Sequence, residues 1–452
     1  MTLRRLSLLF LATIYTAFAQ SHEEWRRIGE QRKAQGNAAG ALEAYERAAA
    51  LAPRSAEIQD EIGFLLAVQN RRAEAIERFE AAVSLDPKCA PARYHLGVAA
   101  WLEERYTQAI ESLREAVRLR PGEAEYRFRL GAALSETGHY EEARTQLEEA
   151  VRAAPGHGEA WNRLGLARQQ LGQHGEALAA FRQAVAKAPN NLDARNNLGI
   201  LLVETGKADE SIEQFRAILD VEPDNLAAQV NIGFALLQKG EIHRAIETLQ
   251  KVVARDPNLA IAHYNLGLAL KQKDDLEAAK RSLREAARLD PNLAAAHYTL
   301  GVTHWQDGEF DETIRAMRAA IAARPDYAEA HYMLGTALKQ KGETKPAAAA
   351  LREAIRLDPG NPGPYSNLSQ VLRLLGDIEG SRAAAARAEA LRRRGEARQA
   401  ALFHVNTGRE HLAKGELDAA EAQFRLAIQA DPESEIAARY LQEVAGRRAP
   451  AH

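Results

Sequence analysis

Three histidines, His263, His297 and His331, stand 34 residues apart. Regularly placed histidines raise the question of metal binding, which needs every ligand atom about 2 Å from the ion. An interval of 34 residues is long enough to put each histidine on a separate helix pair, and neighbouring helix axes are roughly 8–10 Å apart. The three rings then cannot converge. They read as packing residues at a place that Trp25 and Trp161 hold elsewhere. Cys89 is the only cysteine, so no disulfide forms within the chain, and it reads as a small buried residue at a junction. Asn367-Leu368-Ser369 has the form of a glycosylation acceptor but falls inside a predicted helix. The sequence offers no glycine-rich phosphate loop, nucleophile elbow or zinc-binding histidine pair on one helix turn. Catalysis needs unlike groups meeting at one point, and this sequence repeats like groups once per interval. Neither an enzyme, a metal nor a cofactor is expected.

The interval belongs to the whole chain. Prolines fall every 34 residues from Pro53 to Pro359, and 24 residues before each stands a glycine, from Gly29 to Gly335. Counting each repeat from its own first residue, with His22 the first place of the first repeat, the glycine is at place 8 and the proline at place 32. Place 7 is aliphatic, place 20 is small, and place 24 is large and apolar, as in Tyr45, Phe79, Leu113 and Leu147. Places 4, 7, 8 and 11 make one helical stripe, a glycine near place 15 breaks the chain, and places 20, 24 and 27 make a second stripe facing the first. Small residues at 8 and 20 let the two helices approach closely, and proline at 32 stops the second. One such hairpin cannot bury its own apolar face, so each depends on the next.

This pattern resembles the tetratricopeptide repeat family, from about residue 22 to residue 434. The Asn-Leu-Gly runs at Asn197 and Asn265 are similar to the repeat arm of O-linked N-acetylglucosamine transferases, whose catalytic region has no room here. The resemblance implies an all-α fold: a right-handed α-α superhelical solenoid of antiparallel helix pairs. The expected organisation is a signal peptide over 1–19, ten tandem 34-residue repeats over 22–361, a degenerate eleventh repeat with an extended Arg- and Ala-rich helix over 362–400, a final repeat over 401–434, and a capping helix and tail over 435–452. In the eleventh repeat Ser369 stands where glycine is expected and Arg393 where proline is expected, so the second helix should run on into the next repeat. The arginines of that stretch alternate with glutamates and read as a solvated helix face.

The opening residues combine Arg4 and Arg5, an apolar run from Leu6 to about Tyr15, and Ala17 and Ala19, the three parts of a secretory signal peptide with cleavage expected after Ala19. A retained anchor is the competing reading. The expectation is an exported protein, periplasmic or secreted, of bacterial type, with no integral membrane segment after cleavage. Net charge is −3, and about −5 without the two leader arginines, well mixed along the chain. No concentrated basic face is present, which disfavours nucleic acid.

In the repeat family, the side of the first helix that carries places 2, 5, 9 and 12 lines an inner groove. Here the candidate groove residues are Tyr94, Val98, Trp101, Phe128, Asn162, Leu166, Asn196 and Ile200, then Phe234, Tyr264, Leu268, Tyr298, Val302, Trp305 and Tyr332. Asparagines at place 6 and glutamines at place 13 would supply hydrogen bonds along the rim. No lysine occupies place 5 or 9 in this strip, unlike relatives that clamp a terminal carboxylate. The expected function is a non-enzymatic scaffold holding a peptide segment or partner surface. The alternative is an accessory subunit that positions substrates for a separately encoded envelope or glycan-modifying enzyme. The sequence leaves self-association through the terminal repeats open.

Overall fold

The computed structural model describes residues 21–448, so the expected signal peptide lies outside the described residues. Among the described residues there are 24 helices and no strand, alternating 13- and 14-residue helices until Ile378. The fold is an all-α solenoid of antiparallel helix pairs. It divides into two compact bodies, the first ending at Asn231 and the second beginning at Ile232.

The turn inside each pair falls at place 15, where the backbone enters the left-handed region. Gly138 has φ +78°, and the amide of His139 closes the helix end by donating to the Leu134 carbonyl at 2.9 Å. Asn70, Glu104 and Asp274 adopt the same conformation without being glycine. Second helices end two residues before the place-32 proline, as in Tyr140–Ala153 followed by Ala154 and Pro155.

Within a pair, the place-8 glycine meets the large place-24 side chain. A Cβ on Gly131 would lie 2.6 Å from Leu147 Cγ, and one on Gly199 would lie 2.7 Å from the Phe215 ring. Both are closer than real carbon atoms approach, so the pair closes only over glycine. In the eleventh repeat Ser369 takes that place, and place 24 there is Ala385, which leaves room for it. Ser381 Oγ then donates to the Ser369 carbonyl at 2.8 Å.

Place 4 has a role that the packing interpretation did not contain. His263, His297 and His331 donate from Nε2 to the carbonyls of Pro257, Pro291 and Pro325 at 2.9, 3.1 and 3.0 Å. Arg127, Trp161, Arg195 and Gln229 make the same bond to Pro121, Pro155, Pro189 and Pro223 at 2.8–3.1 Å. In these seven repeats the place supplies a side-chain N–H that closes the loop between repeats.

Helix Ile378–Ala413 is one piece of 36 residues, serving as second helix of the eleventh repeat and first helix of the last. Its buried residues lie toward the two ends, Ser381, Ala384 and Ala388 and then Ala401, Val405, Gly408 and Leu412. Arg392 and Arg393 pair with Glu389 on its exposed middle. The final helix, Glu435–Arg448, buries Ala437 and Val444 and stacks Tyr440 on Phe424 at 5.1 Å.

Candidate functional site

In each body adjacent first helices touch one another directly, as Ala56–Val68 touches Ala90–Leu102 and Ala260–Gln272 touches Ala294–Gln306, while second helices show no comparable contact among the described residues. The first helices therefore line the inner side of each stack. That is where places 5, 9 and 12 fall.

In the first body, Tyr94, Val98, Trp101, Leu166, Asn196 and Ile200 are half-buried. Tyr94 stacks on Tyr126 with ring centres 4.6 Å apart, and its hydroxyl donates to Glu125 at 3.2 Å. The indole N–H of Trp101 is buried with no hydrogen-bond partner. Two candidates are corrected. Phe128 is only 4% exposed, with its ring against His157 at 4.6 Å, and Asn162 is also 4% exposed, accepting from the Asn197 amide at 3.1 Å. Both fall on the inner stripe, but the neighbouring first helix covers them. The place-6 asparagines are likewise committed: Asn231 donates to Asn196 at 3.2 Å, as Asn197 does to Asn162. These amides tie adjacent first helices together, because place 5 of one repeat faces place 6 of the next.

In the second body, Phe234, Tyr264, Leu268, Tyr298, Val302, Trp305 and Tyr332 are half-buried. Tyr298 packs on Tyr327 at 4.9 Å and Trp305 on Phe310 at 5.1 Å, each leaving part of its ring accessible. Asn265, by contrast, is 5% exposed and faces inward. Asn367 of the glycosylation-like triplet donates to Thr336 at 2.9 Å and accepts from Lys339 at 2.8 Å, so its amide is engaged within the stack.

Two polar clusters escaped sequence reasoning. The first surrounds Lys280, which is 1% exposed at place 21, where Leu42, Ile76, Ile110, Leu178 and Ile212 stand in other repeats. Its ammonium reaches Glu277 at 2.6 Å, Asp307 at 2.5 Å and Glu309 at 3.2 Å, and Glu309 also bonds the buried His304. These three carboxylates offer oxygens within 4.8 Å of one another, a cation-binding arrangement already filled by the lysine. Burial alone would lower the Lys280 pKa, but the hydrogen bonds that its ammonium donates to Asp307, Glu277 and Glu309 outweigh it and hold the pKa well above the lysine range. His304 and Lys280 together hold Glu309 below the usual carboxylate range. A charge at a place that is apolar in most repeats was the available signal, although Arg144 holds the same place in the fourth repeat. The second cluster centres on Asp60, 5% exposed, whose Oδ1 lies 2.8 Å from His95 Nδ1. It lies in the second repeat, ahead of the strip that sequence reasoning began at Tyr94.

A model of the tetratricopeptide repeat matches residues 61–124 and 128–192, and a model described as the C-terminal domain of cilia and flagella-associated protein 70, itself a repeat model of this type, matches 186–404. No curated protein matches. Among solved structures, a tetratricopeptide repeat protein from Parabacteroides merdae is 20% identical over 55% of this chain and 98% of its own, with a TM-score of 0.43. MamA is 27% identical over 37% of this chain and 91% of its own, at 0.34. YrrB, described as having an unusual peptide-binding site, is 24% identical over 41% of this chain and 96% of its own, at 0.38.

Proposed function

The chain belongs to the tetratricopeptide-repeat family, and on that premise we propose that it is a non-enzymatic, exported scaffold whose first-helix strip holds a peptide segment or partner surface. The observation that carries this is the recurrence of half-buried aromatic and aliphatic side chains at the same places of successive first helices, Tyr264, Tyr298 and Tyr332 among them. Half-buried rings are fixed by their neighbours before a partner arrives, so little side-chain entropy is lost on binding. Affinity then comes from many modest contacts, with tyrosine and tryptophan as the anchors. The polar side chains between them are mostly bonded within the stack, which leaves shape and apolar area to select the partner.

The test is crosslinking in intact cells from a photoreactive residue at Leu268, compared with a chain in which Phe234, Tyr264 and Trp305 are all alanine. Loss of the crosslinked partner with helicity retained is expected. Unchanged capture of every partner by the triple variant overturns the reading. Export is tested separately, by the N-terminal residue of the protein recovered from its native host, expected to be Gln20.

A further inference from the structure

The inner stripe changes chemistry at its beginning. Places 5 and 9 are Arg26 and Glu30 in the first repeat, and Asp60 takes place 5 in the second, where later repeats carry uncharged side chains. These residues line a cavity of about 570 Å³ together with Glu57, Glu61 and His95. We propose that this cavity takes a cationic side chain, lysine or arginine, from the segment held along the first helices. The proposal rests on the groove reading and names the chemistry of one part of its ligand.

The charge balance on the walls carries the argument. Arg26 is shared among Glu23, Glu30 and Glu57, at 3.4, 3.6 and 3.3 Å, so three carboxylates divide one guanidinium. Lys33 is spent on Glu61 at 2.6 Å. Asp60 is almost fully buried, and only Oδ1 is bonded, to His95, while the carboxylate lines the cavity. A buried carboxylate with acceptor capacity left over is costly unless a donor reaches it. Lysine and arginine bring three and five donors, and Pro91 and Leu119 give the cavity an apolar wall that suits the aliphatic stem preceding the charge. The negative character of the site also shows in its neighbours. Burial first, and then Glu61 and Glu30, push the Tyr45 hydroxyl up; burial first, and then Asp60, Asp86 and Glu57, push the Cys89 thiol up. Lys88 and Arg120 also line the cavity, but both are exposed, and they supply the competing outcome, an anionic guest. No three of these carboxylates are close enough to share a metal ion; the one such trio among the described residues is the set around Lys280.

The experiment follows the ring signals of His95 by NMR in the full chain carrying labelled histidine, assigned through His95→Gln. Three probes are titrated: N-acetyl-arginine amide, its neutral isostere N-acetyl-citrulline amide, and N-acetyl-glutamate amide. The arginine probe is expected to shift His95 saturably and to bind at least tenfold more tightly than citrulline, with the difference shrinking at high salt. Glu57→Gln, on the exposed rim, should weaken arginine binding several-fold without disturbing the fold, and Asp60→Asn should weaken it further. Equal response to citrulline, a response to glutamate in place of arginine, or indifference to Glu57→Gln overturns the proposal. Replacing Tyr264 and Trp305 leaves the arginine response intact while abolishing partner capture, so failure of the cation site and failure of the groove reading give different results.

Discussion

Arginine, tryptophan, glutamine and histidine alternate at the fourth place of the repeats, and what they share is one N–H aimed at a proline carbonyl. A residue's type at such a place reports the bond it must make, and several chemistries satisfy it. Lys280 is the opposite case, a buried departure from an apolar place with a large electrostatic consequence. Replacing it with methionine leaves Glu277, Asp307 and Glu309 facing one another, so Lys280→Met should lower the melting temperature by roughly 3 °C or more. Millimolar calcium should recover part of that loss in the variant and leave the unmodified chain unchanged, because the freed carboxylates have the spacing for a cation. The pH dependence has a defined sign. Glu309 is held below its ordinary pKa, so its contribution is full above about pH 4.3 and fades as the pH falls through the folded value. Lys280 is held above its ordinary pKa, so its contribution is full below about pH 10.4 and is lost only as the pH rises through the folded value. The stability difference between the two chains, followed by thermal melts across pH, should be flat between about pH 5 and 10 and shrink on both sides.

At the scale of the helix pair, close approach decides stability. Gly131→Ala places a methyl group 2.6 Å from Leu147 Cγ and should destabilise by about 1–3 kcal/mol in denaturant melts. Combining it with Leu147→Ala should cost clearly less than the sum of the two single changes, since the alanine vacates the space the methyl needs; strict additivity would refute the contact. The turn between the helices obeys a different constraint. Glu104 holds φ +57° where most repeats have glycine, so Glu104→Gly should stabilise by about 1 kcal/mol, measured in the same melts. Helix Ile378–Ala413 shows what happens when the punctuation between repeats is removed: with Arg393 in place of proline, the second helix of one repeat continues as the first helix of the next.

For the whole molecule, the consequence of a stacked architecture is that each pair depends mainly on its neighbours. Ending the chain at Ser434 removes the final helix and uncovers Phe424 and Leu412, which pack against Val444 and Tyr440. Hydrogen exchange should then accelerate across Leu417–Ala430 and the adjoining end of the long helix, while amides of the first body keep their protection. Loss of protection throughout the first body would show longer-range cooperativity than stacking provides.

The repeat length, the helix pairing, the close approach at the small places and the fused helix near Arg393 were legible in the sequence by itself, because each follows from local backbone rules and a periodic apolar stripe. The inner stripe was legible as a set of places and incompletely as a surface. Whether Phe128 and Asn162 are offered to a partner or covered depends on which side chain of the next helix crosses them, and periodicity carries no information about that. Asn197 and Asn231 looked like rim donors, and only the tertiary structure revealed the partners they already have. The same holds for Lys280 and Asp60, whose partners Asp307, Glu309 and His95 lie 27–35 residues away along the chain. Pairing across repeats is decided by the offset between adjacent first helices, which only the packed stack fixes.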